Sequence, residues 1–314
     1  MGRKDLSEKA FFDNAINFSE ICNGILFHGE ERIRPQELES TTTEYLYLDK
    51  KTSSQRYVDV AKKWKGREVE LAIIAMEGQS EVDYRMVFRN MLSEALNYNH
   101  QWKQKQEKQK KGKNLTEAEF LSGLSKEDKF VPVITIVLYL GEEEWDAATD
   151  LYAMLDLNEE LKPYISNYQL NLFDYHKYDS FDFFHGEVKV LFEVLSCMND
   201  KNKMYEVLKA NGPIECDTAI LLGELINVKG FEEYSILSND GRERVNMCKA
   251  FEDFKEEGRQ EGREEARKET IETLKMTIEM CKELGGSIQL ITKKLSETFS
   301  ISEEEARQKI EVYW

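Results

Sequence analysis

The run FVPVITIVLYL, from Phe130 to Leu140 and closed by Gly141, constrains the fold more than any other stretch. It is β-branched and apolar with no helical spacing, so it reads as a central strand. ELAIIAME, from Glu70 to Glu77, is a second apolar run of the kind expected in a strand buried on both faces. Such strands need a covering layer on each side, which the flanking helical patterns supply. RYVDV, from Arg56 to Val60, reads as a further strand joined to ELAIIAME through the lysine-rich turn Lys62, Lys63, Trp64, Lys65, Gly66. If these strands pair across a turn near Gly66, Asp59 and Glu77 reach the same end of a sheet. Gln79, two residues beyond Glu77, points to the same face. Two carboxylates and an amide converging there suit a hard cation such as Mg²⁺, which takes oxygen ligands.

The rest of the chain places helices around these strands. Ser7 to Phe27 has apolar residues at helical spacing and is expected to form one helix ending near Asn23 and Gly24, with Asp13 and Asn17 on one face. Pro35 breaks the pattern, and EYLYLD, Glu44 to Asp49, reads as a first strand. Ser80 to Lys108 reads as a long helix burying Met86, Phe88, Met91, Leu92, Ala95, Leu96 and Tyr98. A short helix over Asp146 to Leu155, a strand over Asn167 to Tyr175 and a helix over Phe181 to Met198 follow. The expected fold is therefore α/β: a mixed sheet flanked by helices over residues 1–198, followed by an all-helical region. That region divides into an extension, 199–255, and a charged helix with a two-helix hairpin, 256–314, in which Ser302 and Glu305 form a capping box.

Residues that follow the acids carry a resemblance. D-x17-E-x-Q over Asp59, Glu77 and Gln79, then EGQSEVDYRMVFRNMLSEALNYNHQW and PVITIVLYLGEEEWD, together with FFDNAINFSE and the Glu/Gly/Arg-rich tail from Glu256, resemble the PD-(D/E)XK nuclease superfamily. The likeness is strongest to its bacterial recombination-promoting nuclease and transposase-like branch, and it is most specific over residues 10–175. It implies a restriction-endonuclease-like core and a Mg²⁺- or Mn²⁺-dependent DNA endonuclease linked to recombination or mobile elements. Asp59 and Glu77 would be the metal ligands, with Glu77 also holding the attacking water. Gln79 stands where the superfamily usually has lysine, and this branch tends to carry glutamine there. Gly78 and Val87 depart from the expected pattern, Val87 replacing a proline.

For DNA, Arg85 and Arg89 could contact phosphate, and Lys62 or Lys63 could supply charge near the acids. The lysine run that includes Lys103, Lys110 and Lys111 is either a solvated helix end or a phosphate-contacting arm. In the branch, the first helix can lend a polar residue to the site; for Asp13 a solvated helix face is the plainer expectation.

The net charge of −17 bears on DNA binding through its distribution. Residues 1–130 are balanced, with 22 basic and 22 acidic side chains, so the excess of negative charge lies outside the half that carries the acids. Five scattered cysteines without a CxxC read as reduced thiols, and no apolar signal core or membrane span is evident, so a bacterial cytoplasmic location is expected. His28, His100, His176 and His185 show no ligand spacing, and no Walker-type loop supports a nucleotide cofactor. The alternative is a weak or inactive nuclease-fold protein acting as a DNA- or protein-binding regulator. The C-terminal helices are the expected element of any homo-oligomer.

Overall fold

A computed structural model describes residues 3–41, 60–67, 69–76, 82–109, 116–228, 230–238, 241 and 243–313. The chain forms two compact units, Met1–Cys248 and Lys249–Trp314.

The first unit is a three-layer arrangement around a mixed sheet of order β1-β2-β3-β4-β5. β1 (Leu38–Ser40), β2 (Val60–Trp64) and β3 (Val69–Met76) are antiparallel neighbours, and β4 (Val133–Tyr139) and β5 (Asn171–Asp174) continue in parallel with β3. The expected central strand is thus β4, with Ile136, Val137 and Leu138 fully buried. The strand expected over Arg56–Val60 lies outside the described residues except for Val60, and Lys62, Lys63 and Trp64, expected in the turn, belong to β2, which pairs with β3 from Val60↔Ile73 to Trp64↔Val69 around a turn at Lys65–Gly66–Arg67. The strand expected over Glu44–Asp49 lies outside the described residues, and β1 forms in the segment just after Pro35 instead.

One face of the sheet is covered by α1 (Arg3–Asp13), α2 (Ala15–Phe27) and α5 (Gly186–Ser196). The single helix expected there is two, because the Asn14 side chain accepts from the backbone N–H groups of Ile16 and Asn17 and caps a new helix. The second helix also runs past Gly24, whose missing side chain admits Phe184: a Cβ there would meet that ring at 2.1 Å. Phe173, Phe181, Phe184 and Phe192 form a contiguous aromatic core on this face.

The other face is covered by α3 (Met86–Gln109), where the expected burial holds at Met86 and Leu96 and fails at Phe88, Leu92 and Ala95. α3 buries Met86, Val87, Leu96 and the polar Asn90, Ser93 and Asn97, while Phe88 and Leu92 face outward. The sheet supplies polar partners for that choice. Asn97 donates to Glu70 Oε1 at 2.8 Å, and Gln101 bonds both the carbonyl and the N–H of Val131. Burial pushes the Glu94 carboxyl above its usual range, with the polar groups of Tyr168 and Thr135 opposing the shift. A carboxyl raised in the fold contributes stability that is full below its unfolded pKa and is lost as pH rises through the folded value. Glu94→Gln is therefore expected to raise the urea midpoint near about pH 7 while leaving it little changed near about pH 4. An equal fall at both values would show that the carboxylate itself is needed.

α4 (Glu117–Ser122) is a short helix closed by a Thr116/Glu119 capping box. The helix expected over Asp146–Leu155 reduces to a 3-10 turn at Tyr152–Met154. α6 (Lys201–Asn211) and α7 (Cys216–Leu225) follow in the same compact unit, α6 packing on α5 and α7 on α1 and α5. The region after 198 is not all helical: β6 (Ile214–Glu215), β7 (Ser235–Leu237) and β8 (Glu243–Val245) form a small antiparallel sheet of order β6-β8-β7. These strands are too short to leave a period in the sequence.

In the second unit, α8 (Met247–Glu283) turns at Gly285 into the hairpin α9 (Ile288–Phe299) and α10 (Glu303–Tyr313). Leu274, Ile278, Ile291, Leu295, Ala306 and Ile310 form its core. The expected Ser302/Glu305 capping box is present, each side chain bonding the other's backbone N–H at 3.1 Å.

Candidate functional site

Asp59, Glu77, Gln79, Lys110 and Lys111 lie outside the described residues. The strands that lead to the acids are described. Because β2 and β3 are antiparallel, the start of β2 at Val60 and the end of β3 at Met76 lie toward the same end of the sheet, with β3 running on from Ile73, the partner of Val60. That end is also where parallel β4 and β5 finish, at Tyr139 opposite Met76 and Asp174 opposite Tyr139. Open α/β sheets bind ligands beyond the carboxyl ends of their parallel strands.

Several side chains that the sequence did not single out build this end. Tyr139 is buried edge-on against Trp145, with ring centroids 5.2 Å apart. Burial, and then the carboxylates of Asp174, Asp146 and Glu143, push its hydroxyl pKa up. Asp174 is buried and accepts from the backbone N–H groups of Trp145 and His176, each at 3.2 Å. His176 lies 2.7 Å from Asp174 through Nδ1 and 3.0 Å from the Glu142 carbonyl through Nε2. The Tyr175 hydroxyl donates to the Gly141 carbonyl at 2.7 Å. His176 thereby ties the end of β5 to the turn after β4, in keeping with the absence of ligand spacing around it. The turn itself must be glycine at 141, since a Cβ there would meet the Tyr139 ring at 2.4–2.8 Å.

The start of α3 meets the same end. The Tyr84 hydroxyl donates to Asp146 Oδ2 at 2.9 Å. Asp83 accepts from the Arg85 backbone N–H at 2.9 Å and from its Nε at 3.1 Å, with Arg89 3.7 Å away. Burial raises the Asp83 carboxyl, but the Arg85 hydrogen bonds and the two guanidinium charges outweigh it and hold the pKa low. Arg85 and Arg89 thus sit beside each other, with one carboxylate between them.

The two β2 lysines point to opposite faces. Lys63 is exposed on the α3 side, opposite Glu70. Lys62 is buried on the other side, its ammonium 2.6 Å from Asp13 Oδ1, 3.4 Å from Ser40 Oγ and 5.6 Å from the Phe18 ring centre. Its charge is committed to Asp13, at the break between α1 and α2. Lys103 is exposed near the far end of α3.

Among the described residues, no group of three or more His, Cys, Asp and Glu side chains could hold a metal ion, and no helix is long and apolar enough to cross a membrane. The five cysteines are free thiols.

The fold is a mixed five-stranded α/β sheet with helices on both faces. Residues 65–212 match the model of the family described as "Putative transposase, YhgA-like", a family of the PD-(D/E)XK nuclease-like transposase group. That likeness points to mobile elements and to DNA. The matched segment includes Glu77, Gln79, Arg85, Arg89 and all of α3, and begins after Asp59. Neither the curated proteins nor the solved structures gave a match.

Proposed function

We propose that the protein is a metal-dependent DNA endonuclease acting at the end of the sheet where β3, β4 and β5 close. The observation that supports it is the convergence of the start of β2 and the end of β3, whose next residues are Asp59 and Glu77, on the end occupied by Tyr139, Asp174 and the paired Arg85 and Arg89. The donor set fits a hard divalent cation in kind: Asp59, Glu77 and Gln79 offer oxygen ligands only. Bound there, Mg²⁺ or Mn²⁺ would supply charge neutralisation at the scissile phosphate. Asp59 and Glu77 would hold the cation, and Glu77 and Gln79 would orient the attacking water. Arg85 and Arg89 would grip phosphate, with Asp83 keeping the two guanidiniums in place. Lys63 and Lys103, both exposed, would add backbone contacts that carry no sequence information, as would Lys110 and Lys111. Lys62 acts by neutralising Asp13 beneath β2.

The test is cleavage of supercoiled plasmid at low salt with Mg²⁺, Mn²⁺ or chelator. Nicking that requires the cation supports the reading. Salt-sensitive DNA binding by the folded protein, without nicking under any cation, would replace it with a non-catalytic DNA-binding role.

Self-association through the second unit completes the proposal, since Met276 and Met280 on α8 and Leu284 just after it follow at four-residue spacing, all exposed. Removing residues 256–314 is expected to lower the mass measured by light scattering while the sheet unit stays folded. An unchanged mass state would rule this out.

A further inference from the structure

α3 presents an outward face that does not suit a solvated helix. Tyr84, Phe88 and Leu92 follow one another at four-residue spacing and are 60%, 42% and 46% exposed, while Asn90, Ser93 and Asn97 are buried. Residues at this spacing stack along one line of the helix. Tyr84 stands in the turn that leads into α3, where the Met86 N–H bonds the Asp83 carbonyl and the Arg89 N–H bonds the Arg85 carbonyl. Arg85, 83% exposed, and Arg89, 34% exposed, stand next to the rings, and Lys103 lies eleven residues beyond Leu92, which returns it to the same line. The Tyr84 ring is fixed by its hydroxyl bond to Asp146. From Tyr84 to Lys103 the line is about 28 Å long at 1.5 Å per residue.

Rings interleaved with cations on a rigid ridge match one kind of ligand better than others. An unpaired nucleic-acid strand offers flat base faces to the rings and phosphates to the guanidinium and ammonium groups. A duplex hides its base faces in the stack and offers phosphates only. Glu142, Glu143 and Glu144 lie in the turn after β4, just before the Asp146 that holds Tyr84, so an anionic strand is favoured along α3 toward Lys103.

We propose that the outward face of α3 is a platform for unpaired bases, with Tyr84 and Phe88 stacking and Arg85, Arg89 and Lys103 holding phosphate. The substrate of the nuclease site would then carry a single-stranded segment beside the scissile phosphate. This rests on the endonuclease reading and adds the substrate class to it.

Fluorescence anisotropy of the full chain in chelator, where nothing is cleaved, tests it with a labelled oligothymidylate of about 12 nucleotides and a blunt duplex of equal length. The single strand is expected to bind more tightly. Phe88→Ala and Tyr84→Ala should each weaken it by about fivefold to a hundredfold and change duplex binding by less than about twofold. Phe88→Leu, which keeps apolar bulk and loses the ring, should lose as much as Phe88→Ala. Arg85→Ala should weaken both probes through phosphate. Circular dichroism of each variant checks the fold, which exposed positions leave intact. Tighter duplex binding, unchanged single-strand affinity in the ring variants, or Phe88→Leu behaving as wild type would overturn the platform, the last pointing to an apolar protein partner. If plasmid is still nicked in Mg²⁺ when the platform fails, the endonuclease reading stands alone. No binding of either probe overturns the platform, and with no nicking either, both readings fall.

Discussion

Asp59→Ala and Glu77→Ala are each expected to reduce Mg²⁺-dependent plasmid nicking by about a thousandfold. On the proposed mechanism each carboxylate supplies a ligand to one cation, and a bound cation contributes several kcal/mol of charge stabilisation in phosphodiester cleavage. At about 1.36 kcal/mol per factor of ten, losing roughly 4 kcal/mol gives that fall. Thermal unfolding of each variant separates a loss of chemistry from a loss of fold. Initial nicking rates with matched protein preparations decide the matter. Loss in both variants identifies the two ligands together, whereas nicking that survives equally in both would assign it to a contaminating nuclease. Loss in Glu77→Ala alone would keep the site and remove Asp59 from it.

The second large effect is one of stability, and it is asymmetric. The Lys62 side chain is 4% exposed and that of Asp13 is 51% exposed. Removing one partner of a buried pair costs about 3–5 kcal/mol when the charge left behind is buried, and much less when that charge can hydrate. Among the described residues, Asp13→Ala leaves the ammonium beneath β2 with Ser40 Oγ and the Phe18 ring beside it. With Asp13 itself half exposed the pair is partly screened, so the expected cost is about 2 kcal/mol. Lys62→Met leaves Asp13 at the surface and fills the same space with apolar atoms, so it is expected to be neutral within about 1 kcal/mol. Urea unfolding followed by far-UV circular dichroism measures both. Equal losses would show that the pair acts as a symmetric surface bridge, and a larger loss in Lys62→Met would invert the argument.

These two effects differ in how visible they were beforehand. The acids stand out in a linear reading because D-x17-E-x-Q brackets a hairpin whose two runs and turn are local patterns. The pairing of Lys62 with Asp13 spans 49 residues. Strand alternation says that Lys62 and Lys63 face opposite ways, but not which face the N-terminal helices cover. In the same way, the ends of β4 and β5 converge through parallel pairing across a long crossover, so Tyr139, Asp174 and His176 carry no spacing that could have marked them.

By itself the sequence determined β3, β4 and β5, the turn at Gly66, the long helix α3 and the capped helical hairpin near the C-terminus. Each of these is set by interactions within a few residues: apolar runs, turn residues and side chains that bond nearby backbone groups. Only the tertiary structure decided the small β6-β8-β7 sheet and the face of α3 that is buried, whereas the break at Asn14 rests on a local cap that the continuous apolar spacing hid. Apolar periodicity assigned Phe88 and Leu92 to the core, but the sheet meets α3 with Glu70, Thr135 and the Val131 backbone, which hydrogen-bond or adjoin polar partners. A buried polar group must be paired or it costs about 1–3 kcal/mol. Asn97 and Gln101 therefore turn inward toward those partners, and Phe88 and Leu92 turn outward on the opposite line of the helix.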